Sequence, residues 1–358
     1  MLTHYSEWAR SDHRIGIYTL AQLTGPVAGS GLSIVAALTL GPDPAIALAA
    51  MAIGQATGLV IVLIGLRLRL RFGTFDATIF AEARQYGLPL IFSGLFVWAA
   101  TNGVRVLVET GEGIVGVGLF SVGWGLGQRM AFMLATLCTA AAYPLAVDRL
   151  EAGDLPGALR HVAVNGANMI GLLAPATAGV AILSAPLVHL IIAPQFQDVT
   201  IVILPLAIAT GAARGLRLHT GDQTALLLRR TGAMTIFNFL DAAVTLACAA
   251  IGVHLGGIVG AAIGCLVGAC VGAALALGFV VAKLGLRIPL ATLVGILLAT
   301  ALMSAVLRLA PIPAGYGSLG LQIALGAAVY AAAILTLFAQ SRRLIVAQLA
   351  RFRLAAST

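Results

Sequence analysis

Ala45–Leu66 reads AIALAAMAIGQATGLVIVLIGL and runs straight into Arg67-Leu68-Arg69-Leu70-Arg71. An uncharged stretch of 22 residues rises about 1.5 Å per residue as a helix, enough to cross a hydrocarbon core about 30 Å thick. The arginines at its end are what the cytoplasmic flank of a spanning helix collects. Working outward, Ile15–Leu40 is a similar run on the N-terminal side. On the other side come Tyr86–Leu107, Ile114–Val147, Val162–Leu183 and Val199–Ala213, then Ala233–Val253, Ile258–Val281, Leu290–Leu307 and Leu319–Phe338. The pattern predicts an all-α, polytopic membrane protein with about ten transmembrane helices. Ile114–Val147 is long enough to kink or protrude. Val199–Ala213 is short and merges into polar sequence.

The charges support that count. Of 21 Lys and Arg, eighteen fall in the terminal tails or in every second gap between spans. They are Arg10, Arg14, Arg67, Arg69, Arg71, Arg84, Arg149, Arg160, Arg214, Arg217, Arg229, Arg230, Lys283, Arg287, Arg342, Arg343, Arg351 and Arg353. The intervening gaps hold Arg308, with Asp43, Glu109, Glu112 and Asp198. The positive-inside rule then places both termini in the cytoplasm. Arg67–Gln85 and Arg214–Arg230 read as interfacial connections, and Gln340–Leu354 as a basic amphipathic tail, either membrane-bound or solvated.

Composition agrees: 60% of residues are hydrophobic, 9% are charged and mean hydropathy is +1.03. The net charge of +8 is dispersed over span flanks, which argues against a nucleic-acid partner. Glycine, at 42 residues, suits helices packed closely through small side chains. Cys138, Cys248, Cys265 and Cys270 lie inside apolar runs and read as small buried hydrophobes. No cleavable leader is expected ahead of the first span.

Several chemistries have no sequence signature. The single lysine, Lys283, follows Ala282, so no Walker A loop exists. His-Glu-x-x-His, Gly-x-Ser-x-Gly and Asp-x-Asp patterns are absent, and His4, His13, His161, His189, His219 and His254 are scattered. We therefore expect neither an enzyme nor a metal or cofactor protein.

Ionisable groups inside spans are the informative exceptions, because each costs about 2.5–3.5 kcal/mol near a helix centre on insertion scales. Arg129 sits in Gly125-Leu126-Gly127-Gln128-Arg129, near the middle of the fourth span. It reads as a cavity cation or as a snorkelling arginine. Asp241, after Asn238, reads as a salt-bridge partner for a bundle arginine or as a coupling-ion carboxylate. Arg105 could pair with Glu109 one turn on, or join Asn102 as a donor to an anion. Asn165 and Asn168 read as interhelical hydrogen-bonding residues. A basic, sparsely acidic interior suits an anionic substrate such as a phosphate.

Tyr86-Gly87-Leu88-Pro89-Leu90-Ile91-Phe92-Ser93-Gly94 resembles the opening of the second lobe of polysaccharide flippases. Asn102-Gly103-Val104-Arg105, Gly116-Val117-Gly118-Leu119-Phe120-Ser121-Val122, Tyr143-Pro144 and Gly257-Ile258-Val259-Gly260-Ala261-Ala262 are similar to further recurring pieces in the same order. The family is the O-antigen, or Wzx-type, branch of the multidrug/oligosaccharidyl-lipid/polysaccharide exporter superfamily, and the likeness covers roughly 14–283. It implies a MATE-like second lobe at 86–283 and a partial first lobe at 1–71. A cytoplasmic linker at 72–85, two trailing helices at 284–339 and a basic tail at 340–358 complete that division. It also implies translocation of a polyprenyl-diphosphate-linked oligosaccharide. Arg129 and Arg105 would attract the diphosphate, helped by Asn102 and Gln128, and Asp241 would balance charge or couple an ion. Partners would be lipid-linked oligosaccharide, membrane lipids and other polysaccharide-assembly membrane proteins.

The chain departs from the family pattern at Val104, where an acid is usual, and at Phe120, where a tyrosine is. It also carries about four N-terminal spans fewer than the family form. Alternative readings are a cation-coupled multidrug exporter, a membrane-embedded glycan polymerase or ligase, and a truncated, non-transporting relative.

Overall fold

The computed structural model describes Tyr5, Trp8 and residues 14–41, 43–66, 77–139, 142–310 and 315–338. All regular structure among them is helical. The elements are α1 (Ile15–Leu40), α2 (Pro44–Gly65), α3 (Ala77–Thr139), α4 (Ala142–Glu151), α5 (Leu155–Ile191) and α6 (Pro194–Leu216). A π-helical turn, Arg217–Asp222, then leads into α7 (Gln223–Leu227), α8 (Thr231–Leu284), α9 (Leu290–Leu309) and α10 (Tyr316–Leu337). Among the described residues, eight helical stretches are long and apolar enough to cross a membrane.

Two of the eight are far longer than a bilayer requires. As a straight rod the 63 residues of α3 would extend about 95 Å, against a core of about 30 Å. It breaks at Gly113 (φ 70°, ψ −178°), and α8 breaks at Gly256 and Gly257, the latter at φ 56°. Only glycine enters such conformations readily. Each long element is thus two arms, which resolves the eight stretches into ten helical arms, the number of apolar runs in the sequence.

The chain forms two units, Met1–Ala77 and Thr78–Thr358. In the first, α1 packs on α2 along a glycine contact. A methyl group on Gly54 would lie 2.2 Å from the Gly29 backbone nitrogen. Asp43 caps α2 by accepting from the Ala45 N–H at 2.8 Å, with Pro44 in the first turn.

In the larger unit the two arms of α8 fold back on each other. A methyl group on Gly260, Gly264, Gly268 or Gly272 would come within 2.0–2.6 Å of Gly252, Cys248, Thr245 or Asp241 respectively. One set of positions rises as the other falls, which defines an antiparallel hairpin. The glycines at every fourth position form the small-residue ridge that lets membrane helices approach backbone to backbone.

Around this hairpin, Val104, Val108, Phe120 and Trp124 of α3 pack with Ile203 of α6 and with Ala249 and Cys265 of α8. Ala131 and Ala135 of α3 meet Met169 and Leu173 of α5 and Ile208 of α6. α9 and α10 pack on each other and on α5. The outward faces stay apolar, with Leu255 and Leu309 each 84% exposed. Such faces are suited to lipid rather than water.

Two expectations change. The sixth span does not end at Ala213: Pro194–Leu227 is helical throughout, because a span of about 15 residues would reach only about 22 Å. Most of the stretch expected to be a separate interfacial segment, 214–230, is therefore helix continuous with that span. Residues 77–85 are the first turns of α3, while 67–76 of the expected linker and the expected tail helix lie outside the described residues.

Candidate functional site: a buried charge cluster

Lengthening the sixth span draws its polar residues into the bundle. Arg214 is 5% exposed and Arg217 1%, so neither is a loop cation. In an α-helix, residues five apart turn through about 500° and point roughly 140° away from each other. The wider π turn changes that register. Arg217 and Asp222, at its two ends, face each other with Nη1 3.1 Å from Oδ2.

α8 supplies the opposing wall. Asn238, Asp241 and Thr245 recur at intervals of three and four and so share one face. Asp241 lies ten residues into α8, about 15 Å along it, and is 1% exposed. Its Oδ2 is 3.5 Å from Arg217 Nη2 and 3.8 Å from Arg214 Nε. Arg217 also donates to Asn238 Oδ1, and the Asn238 amide donates to Ser93 Oγ on α3. Arg214 Nη2 donates to the Ala100 carbonyl of α3 at 2.8 Å.

Two arginines and two aspartates make the cluster neutral, as burial demands. Three helical elements meet there through side chains rather than apolar contact alone. The small residue at Gly272 makes room, since a methyl group there would lie 2.6 Å from Asp241 Oδ1. Donor capacity is left over: Arg214 Nη1 and Arg217 Nε have no hydrogen-bond acceptor among the described residues.

The other residues singled out from sequence sit elsewhere. Arg129 is on an exposed face of the second arm of α3, beside Phe132 at 63% and Met133 at 64% exposure. The most buried arginine among the described residues is instead Arg217. Gln128, its neighbour, turns inward and donates to the Ala207 carbonyl of α6 at 2.8 Å, clamping α3 to α6. Arg105 is half-buried and donates to Asn102 Oδ1 at 2.6 Å, and Asn102 donates to the Trp98 carbonyl at 3.2 Å. Asn102, and not Glu109, is thus the partner recorded for Arg105. Asn165 is buried and Asn168 exposed. The four cysteines are free.

Sequence reading passed over Arg214, Arg217, Asp222, Asn238 and Ser93 as members of one site. The available signal was the inadequate length of Val199–Ala213, which required the helix to continue through Arg214 and Arg217.

The chain matches the model of a family described as polysaccharide biosynthesis protein, over residues 10–201, more than half its length. It belongs to that family. No curated protein matches it. As a family member it is a multi-pass membrane protein serving polysaccharide biosynthesis. The matched region contains Asn102, Arg105, Gln128 and Arg129, whereas the Arg214–Asp241 cluster lies beyond residue 201.

Proposed function

We infer that this protein translocates a polyprenyl-diphosphate-linked oligosaccharide across the bacterial inner membrane, with both termini in the cytoplasm. The observation that carries the reading is the placement of Arg129. The residue falls well inside the second arm of α3, on an exposed face that also carries Phe132 and Met133. A cation so placed is costly against lipid and needs a wet cleft or an anion. A diphosphate supplies the anion, and arginine grips phosphate through paired N–H donors.

In this mechanism Arg129 engages the diphosphate, Arg105 and Asn102 form a second donor group, and the isoprenoid follows the apolar outer faces. Gln128 positions Arg129 by anchoring that turn of α3 to α6. The Arg214–Asp241 cluster holds α3, α6 and α8 together as a rigid element that moves as a body. Engagement of Asp241 by two guanidiniums supports glycan export over cation-coupled drug efflux, which would call for an available carboxylate.

The test is glycan export in cells that depend on this chain, expressing Arg129→Ala, Arg129→Lys or wild type at matched levels. Surface glycan should be lost with alanine and partly kept with lysine. Full export by the alanine variant would refute the assignment.

A further inference from the structure

α7 ends and α8 begins within a few residues, and the junction is strained. Arg229 has φ 55°, the left-handed region that side-chain-bearing residues avoid, at a position where helices commonly place glycine. The turn is closed by Arg229 N–H donating to Leu226 O at 3.0 Å and Arg230 N–H to Ala225 O at 2.7 Å. A costly conformation kept by a charged residue points to a use for that charge.

Beside this turn opens a cleft of about 510 Å³, bounded by Arg229, Arg230 and Thr231 on one side and Phe279 and Lys283 on the other. Its cations come from opposite ends of the α8 hairpin, which lie side by side at the cleft. No carboxylate lines it, and Arg229, Arg230 and Lys283 have no ion-pair partner among the described residues. The wall is apolar: Phe279 packs on Phe237 with ring centroids 5.1 Å apart. The first-turn amides of α8 add a favourable field for an anion.

We propose that this cleft binds the phosphate headgroup of an anionic phospholipid from the surrounding leaflet. The three cations meet the phosphate, and Phe279 lies against the first carbons of the acyl chain. The location decides the source: the cleft stands at the end of a spanning hairpin, the depth at which headgroups lie, and basic groups there attract anionic lipid. This site is separate from Arg129 and does not depend on the transport reading.

The test uses the purified full chain in detergent micelles, binding a fluorescent phosphatidylglycerol or its phosphatidylcholine counterpart. Wild type should prefer the anionic lipid by at least roughly tenfold, and Arg229→Gln/Arg230→Gln/Lys283→Gln should abolish the preference. Arg229→Gly separates binding from folding. It relieves the strained turn, so thermal stability should rise while anionic-lipid affinity falls. An unchanged preference in the triple variant, or displacement of the lipid by millimolar inorganic phosphate, would overturn the proposal.

Discussion

Replacing Asp241 by asparagine leaves the shape of the buried cluster nearly unchanged and alters its charge by one. The native group balances Arg214 and Arg217 against Asp222 and Asp241, each at most 5% exposed. In the variant one guanidinium charge has no counterpart. Breaking a buried pair by removing one partner costs about 3–5 kcal/mol, because the orphaned charge stays in a poorly polarisable interior. At about 2–4 °C per kcal/mol for a domain of a few hundred residues, that corresponds to a fall of roughly 6–20 °C in unfolding temperature. The assay is fluorescence-monitored thermal unfolding of the purified chain in detergent. Arg217→Gln should destabilise comparably by leaving an uncompensated carboxylate. The double variant Asp241→Asn/Arg217→Gln is neutral again and should be more stable than the sum of the single losses implies, by at least about 1 kcal/mol of coupling. A wild-type unfolding temperature for Asp241→Asn, or strict additivity in the double variant, would refute the neutral-cluster argument.

Other expectations follow from packing and backbone geometry. Gly264→Ala should destabilise the α8 hairpin markedly, since its methyl group would lie 2.2 Å from the Cys248 carbonyl oxygen. Gly278→Ala, which meets nothing within 4 Å, should be neutral or slightly stabilising, and thermal unfolding compares the two directly. Gly113→Ala should cost about 1–2 kcal/mol by forcing a side chain into positive φ, seen as a lower unfolding temperature with the bundle intact. Gln128→Ala removes a donor to the Ala207 carbonyl at 2.8 Å. It should lower stability by about 1 kcal/mol and reduce export at matched expression by loosening the turn that carries Arg129.

The sequence was most legible where one physical requirement dominated. Uncharged runs such as Ala45–Leu66 could only be spans, and alternating flank charges kept their number at ten. Gly113 and Gly256–Gly257 account for the spans that merge into α3 and α8. The same charge pattern concealed the cluster. Arg214 and Arg217 fit the positive gap so well that they read as loop residues. Asp241 was visible as an acid in an apolar run, but its partners were not. The π turn that aligns Arg217 with Asp222 has no periodicity signal in a helical reading. Arg129 was legible as a mid-span cation, and its outward direction came only from the packing of Gln128 and Ala131 against α6.

The central claim concerns what crosses the membrane and which residue meets it. Its most direct measurement is the transbilayer movement of a fluorescent polyprenyl-diphosphate oligosaccharide in proteoliposomes. These would contain the purified chain, or Arg129→Ala matched for incorporation and unfolding temperature. The account predicts movement above protein-free vesicles for wild type and its loss for the variant. Equal rates for the two proteins, or no movement with either, would contradict it.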